Sequence, residues 1–311
     1  FLLKMHKRIF NKKTNTQNMK KELLTMLASL ALFAYSANAE IVLTEDLSAY
    51  GYIDAAYTSA NDASDLAGSV AEFELGLAFT PAEDPFSAVS ELSFKNNDDV
   101  DFETVTITYA ASDSVSFTAG NMLTYQGFET YDATGLYQFS YQGIDGPVYS
   151  AAYAFGSSVD YSTDAYSLGF WVGEGSGDEG SFEYFVKYTG VEGLTVVGVI
   201  ADDGGYDTQN VWASYDYNAF TFAAEYTSTS VDDNSGDTEA YMALVYYSMG
   251  DAGLTLRCSG GEDAGVDFDK FTVSPSYAFS DSVFGLLEYS VVDVDGRAED
   301  TQLAAELIFS F

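Results

Sequence analysis

Histidine is nearly missing. The one His among 311 residues, His6, lies in a basic stretch ahead of Met19. From residue 40 onward there is none, which excludes a Ser-His-Asp triad, a Cys-His pair and histidine-built metal centres. A hydrolase reading is poor for the same reason, and the residues call for no reaction, no cofactor and no metal. The single cysteine, Cys258, excludes an internal disulfide. It follows Arg257 in an apolar run and reads as a small side chain. Proline is limited to four residues, and only 12 Lys+Arg stand against 48 Asp+Glu. No convincing helix is legible after Glu40.

The start of the chain differs from the rest. Met19-Lys20-Lys21 is a basic n-region, Leu23 to Tyr35 a short apolar run, and Ala37-Asn38-Ala39 a small-residue cleavage site. The run is too short for an ordinary membrane-spanning helix and has the anatomy of a secretory signal peptide. Residues 19–39 are therefore expected to be a signal peptide cut after Ala39. Residues 1–18 are an upstream extension of no assigned function, and residues 40–311 form one domain. Seven bases precede residue 22, leaving Lys95, Lys187, Arg257, Lys270 and Arg297. Five bases against 47 acids give residues 40–311 a formal charge of −42. That charge excludes nucleic acid as a partner and disfavours anionic lipid surfaces. It also suits solubility in salty water, where screening weakens self-repulsion.

What is present is aromatic alternation. Tyr and Phe make up most of the 16% aromatic content and alternate with small or polar residues, a period of two. About sixteen strands follow at short intervals. The first runs near Leu47–Thr58, the second over Val70–Thr80 and the third over Phe86–Lys95. Leu254–Ser259 is a late, short one, and Asp300–Phe311 is the last. Short turns such as Ser112-Asp113, Asn218-Ala219 and Ser280-Asp281 alternate with acidic, Gly-rich connections. The latter are Asp202–Gly205, Asp232–Asp237 and Gly260–Asp267.

One face of each strand is apolar and the other polar. The second strand puts Phe73, Leu75, Leu77 and Phe79 on one side and Glu72 and Glu74 on the other; Glu91 and Lys95 share the polar parity. Lys187, Arg257 and Lys270 also fall among polar neighbours. Alternation alone fits a sandwich core or a barrel in lipid. The closing strand decides between them. Leu303, Ala305, Leu307, Phe309 and Phe311 form one apolar face, and an unpaired edge of that kind aggregates. Closing the sheet in lipid removes the edge. With the signal peptide, this predicts an all-β, transmembrane antiparallel β-barrel in the outer membrane of a Gram-negative bacterium. Glu72, Glu74 and Glu91 become lumen-facing acids, and Lys187, Arg257 and Lys270 lumen-facing bases that could form a basic wall.

The rhythm breaks at Met122–Ala154, roughly thirty residues rich in Tyr, Gly and Gln with no clear hairpin. Connections this long are functional or disordered, and the aromatics argue against disorder. Here the chain resembles the general bacterial porins, and within them a marine-type Gram-negative outer-membrane porin family. The resemblance rests on Thr118-Ala119-Gly120-Asn121-Met122-Leu123 with Gly127 and Glu129, and on Gly135-Leu136-Tyr137-Gln138-Phe139-Ser140-Tyr141. Tyr188–Val196 and the closing strand add to it. It implies a sixteen-stranded homotrimer whose third extracellular loop folds inward to constrict the pore. Carried over, it makes Glu129, Asp132 and Asp145 the constriction acids. The usual Arg cluster on the early strands and the usual acidic loop motif are missing.

The leading expectation is a water-filled pore for passive diffusion of small hydrophilic solutes and ions, preferring cations because inward carboxylates concentrate them. A narrower channel for sugars or oligosaccharides is the alternative, with Tyr125, Phe128, Tyr131, Tyr137 and Tyr141 as a stacking surface. A secreted β-sandwich adhesin with calcium-binding acidic loops is a third reading.

Overall fold

Side-chain alternation becomes a sheet without edges. A computed structural model describes residues 40–60, 67–95, 100–129, 131–149, 152–175, 180–232 and 236–311. The expected signal peptide and the extension before it lie outside the described residues. A two-residue strand, β1 (Ile41–Val42), is followed by sixteen long ones. The first eight are β2 (Leu47–Ala60), β3 (Ala67–Phe79), β4 (Phe86–Lys95), β5 (Val100–Ala110), β6 (Val115–Leu123), β7 (Tyr153–Ser162), β8 (Tyr166–Glu174) and β9 (Gly180–Val191). The remainder are β10 (Leu194–Asp203), β11 (Tyr206–Tyr217), β12 (Phe220–Val231), β13 (Thr238–Met249), β14 (Ala252–Asp263), β15 (Val266–Ser280), β16 (Val283–Val294) and β17 (Asp300–Ser310).

Each long strand pairs antiparallel with its neighbours in sequence, and β17 pairs with β2 from Gln302↔Ala60 to Ser310↔Tyr52. Phe311 and Gly51 add two backbone hydrogen bonds at 2.9 and 3.0 Å. The sixteen strands β2–β17 thus close into a barrel, and β1 lies beside β2 as a short addition. Closure rules out the sandwich. Burial is inverted relative to a soluble protein. On β17, Leu307 is 49% exposed while its neighbour Glu306 is 7% exposed. Ile107, Phe155, Tyr184, Ile200, Phe279 and Leu287 likewise face outward and exposed. An apolar exterior of that extent belongs in hydrocarbon.

Two acidic connections expected to be long are tight. β10 and β11 are joined by Gly204-Gly205, and β14 and β15 by Ala264-Gly265. In the second turn both central residues have positive φ, 49° for Ala264 and 80° for Gly265. Such turns match the twist of a hairpin, so the ladder runs on through Glu262↔Asp267 and Asp263↔Val266. The acids read as loop residues are strand residues, and β14 extends past both ends of the run expected for it. At the same barrel end, segment 124–152 between β6 and β7 is the longest connection, and its described residues carry only a 3-10 turn at Ala133–Gly135.

Candidate pore site and its acidic wall

A segment with so little secondary structure must satisfy its backbone elsewhere. Segment 124–152 does so on buried side chains of β9–β16. Tyr125 N donates to Glu183 Oε2 at 2.8 Å, and Gln126 Nε2 to Glu183 Oε1 at 3.1 Å. Thr124 Oγ1 also donates to Glu183. Gly127 N donates to Asn210 Oδ1 at 3.1 Å and Phe128 N to Glu225 Oε1 at 3.2 Å. Ser140 N donates to Glu288 Oε2 at 2.9 Å. From the wall, Thr255 Oγ1 donates to Tyr137 O at 2.7 Å and Ser259 Oγ to Gln142 O at 2.6 Å.

Arg257 is the centre of this attachment. Its Nη1 donates to Glu129 Oε1 and to Ser140 O, each at 2.6 Å. Its Nη2 donates to Ser140 Oγ at 3.0 Å and Tyr141 O at 2.8 Å, and also reaches Thr272 Oγ1 at 3.1 Å. Lys270 Nζ donates to Tyr141 O at 2.8 Å and Gly143 O at 3.1 Å. Both bases are buried against the segment, so no basic wall stands opposite it. The polar face is also interrupted by apolar patches. Phe185, Val197 and Val199 pack on Tyr125; Ala223, Met242, Leu244 and Tyr246 pack on Phe128 and Tyr137. Val148 and Tyr149 pack against Ala240, Phe268 and Val294. Tyr149, whose phenol burial pushes up, donates its hydroxyl to Glu129 O.

The opposite wall, β2–β5, is acidic. Glu72, Glu74, Glu91 and Glu103 share it with one base, Lys95, whose Nζ lies 3.2 Å from Glu72 and 3.3 Å from Glu103. Tyr50 OH donates to Glu91 Oε1 at 2.7 Å. The pairing register shifts between Ser90 and Leu92, so both Glu103 and Thr104 reach the interior. Strict alternation hides Glu103 for that reason.

The three acids expected at a constriction are not gathered. Glu129 pairs with Arg257 at 2.6 Å, with its charge matched. Asp145 is exposed, with Asp263 and Lys270 as charged neighbours. Asp132 is buried beside the acidic wall. Burial and the carboxylates of Glu91, Glu103 and Glu72 push its carboxyl well above the usual range, against the pull of Lys95. One carboxylate oxygen each of Glu74, Glu103 and Asp132 lies within 4.8 Å of the others. No ligand set was legible in the sequence, because the three stand on β3, β5 and the segment.

Between segment and walls runs a cavity of about 650 Å³ that reaches the end of the barrel carrying the short turns. Its charged lining is Glu91, Glu129, Asp160, Asp216, Asp281 and Lys187, and Thr104, Thr106, Thr108 and Thr118 supply hydroxyls. Phe128 and Trp212 meet at its edge with centroids 5.5 Å apart.

No protein-family model matches the chain, and no curated protein does. Solved structures do match. A loop-L8 deletion mutant of OmpT, an outer membrane protein of Vibrio cholerae, superposes with a TM-score of 0.67 at 14% identity over 88% of this chain and 100% of that one. Outer-membrane expressed OmpT of Vibrio cholerae gives 0.63 at 14% identity over 88% and 100%. A mutant of Rhodopseudomonas blastica porin gives 0.62 at 17% identity over 85% and 100%. At such identities the likeness is one of architecture: this chain has the fold of the bacterial outer-membrane porins.

Proposed function

We propose that the chain is an outer-membrane pore for passive diffusion of small hydrophilic solutes and ions, with cations preferred. The observation that carries the preference is the charge of the cavity: five acids and one base, Lys187, line it among the described residues. Only Glu129 of those acids is matched by a buried base. Fixed carboxylates between low-dielectric walls raise the local cation concentration and repel anions. Segment 124–152 is the third extracellular loop and narrows the passage, with Glu129 at its border and Asp132 and Asp145 behind it. The barrel stands in lipid as a homotrimer, delivered there after removal of the signal peptide.

The test is the reversal potential of the protein in a planar bilayer under a salt gradient. A cation-selective potential, with conductance steps in threes, is expected. An anion preference overturns the selectivity, and a folded barrel without conductance overturns passive diffusion. The edge-on pair Phe128–Trp212 favours a second reading, a sugar-selective channel. Sugar-dependent block of the current distinguishes it.

A further inference from the structure

We infer that Glu74, Glu103 and Asp132 form a divalent-cation site that fastens segment 124–152 to the acidic wall. One oxygen from each carboxylate lies within 4.8 Å of the other two, and all three residues are buried. Oxygens ligating calcium at roughly 2.3–2.6 Å can stand up to about 5 Å apart, so a single ion can bridge this set. Proximity of acids alone would not make a site. The second observation is unmet hydrogen-bonding capacity within the same cluster. Glu74, 5% exposed, keeps Oε2 without a hydrogen-bond partner, and Glu103 keeps its Oε2 likewise. The hydroxyl of Tyr52 is also buried without a partner, and its charged neighbours are Asp132, Glu74, Glu72 and Glu103.

Local charge points the same way. Among the described residues Lys95 is the one base in contact here, and it is shared between Glu72 and Glu103. Buried carboxylates beyond what one ammonium can match need either protons or a metal. The donor set is all oxygen, with no imidazole or thiolate, which selects a hard cation. Three carboxylates with a buried hydroxyl beside them suit the high, flexible coordination of Ca²⁺ better than the strict octahedron of Mg²⁺. Glu74 comes from β3, Glu103 from the shifted register of β5, and Asp132 from segment 124–152. A bound ion therefore joins the segment to the wall opposite Arg257. It holds the segment at both sides of the interior, whether or not the barrel conducts.

The test uses the full chain extracted in detergent and stripped with a chelator. Ca²⁺ is titrated by calorimetry, and Tb³⁺ is followed by emission excited through tyrosine. The expected result is one saturable event, Tb³⁺ emission that Ca²⁺ displaces, and a rise in the unfolding midpoint on adding Ca²⁺. Glu74→Gln with Asp132→Asn is expected to weaken binding by more than about tenfold, since affinity follows the count of charged ligands. Asp132→Asn alone, which leaves every barrel strand unchanged, checks the site should the double variant fail to fold; it is expected to weaken Ca²⁺ binding while preserving the barrel. Absence of saturable binding to the folded wild type overturns the site and leaves proton sharing. Binding unchanged in Glu74→Gln/Asp132→Asn, or in Asp132→Asn if that pair does not fold, overturns it in favour of other acids on the chain. Neither readout requires conductance, so a closed pore would refute passive diffusion and leave the cation site standing.

Discussion

The inner wall of β9–β16 meets segment 124–152 with apolar side chains, backbone-binding acids and two buried bases. The inner wall of β2–β5 presents Asp54, Glu72, Glu74, Glu91 and Glu103 beside Lys95, with Asp132 as the acid facing them from the segment. On the first side the segment completes a core, and Glu183, Glu225, Arg257, Lys270 and Glu288 each bond to it. On the second, negative charge exceeds what the neighbouring base can neutralise. The same polar parity in sequence therefore serves two purposes: attachment on one wall and an electrostatic field on the other.

Removing one base from each wall should break the comparison in opposite degrees. Arg257→Met is the largest expected effect. It leaves the charge of Glu129 buried without its counter-ion and takes one hydrogen bond each from the carbonyls of Ser140 and Tyr141. Loss of one partner of a buried pair costs about 3–5 kcal/mol. Denaturant unfolding in detergent should show that loss, and Arg257→Met/Glu129→Gln should recover part of it. Full stability in the single variant would show that Arg257 does not hold the segment. Lys95→Met, whose side chain is 45% exposed, should cost only about 1 kcal/mol because solvent screens the pair. Its clearer signature should be a reversal potential shifted further toward cations. A control away from both walls sharpens the contrast. Ala264→Gly relieves a left-handed backbone at 49° and should stabilise the β14–β15 hairpin by about 0.5–1 kcal/mol, with selectivity unchanged.

The barrel is largely legible in the sequence because the outward face repeats every second residue and lipid tolerates no exception. Sixteen strands, the bounds of β4 and the start of β17 follow from that alternation. β14 looks too short in sequence because Gly260, Gly261 and the acids after them resemble a loop, whereas the Ala264-Gly265 turn lets them stay paired. The site is less legible. Arg257 and Lys270 are visible as inward bases, yet alternation says nothing about which segment an inward side chain meets. Glu183 and Glu225 share the polar parity without any sign that they receive backbone N–H groups. Glu103 is hidden by a register shift, which breaks the period of two.

The attachment of segment 124–152 also orders the steps of assembly. Its last anchors are added to the chain late: Ser140 bonds Glu288, which comes 148 residues later, and Lys270 follows Tyr141 by 129. Contacts so distant in sequence incur their loop-closure entropy before they return any stability. The hairpins of the barrel are local and can form first. Docking of the segment is complete only with β16 in place, so the order expected is hairpins first and the interior filled last.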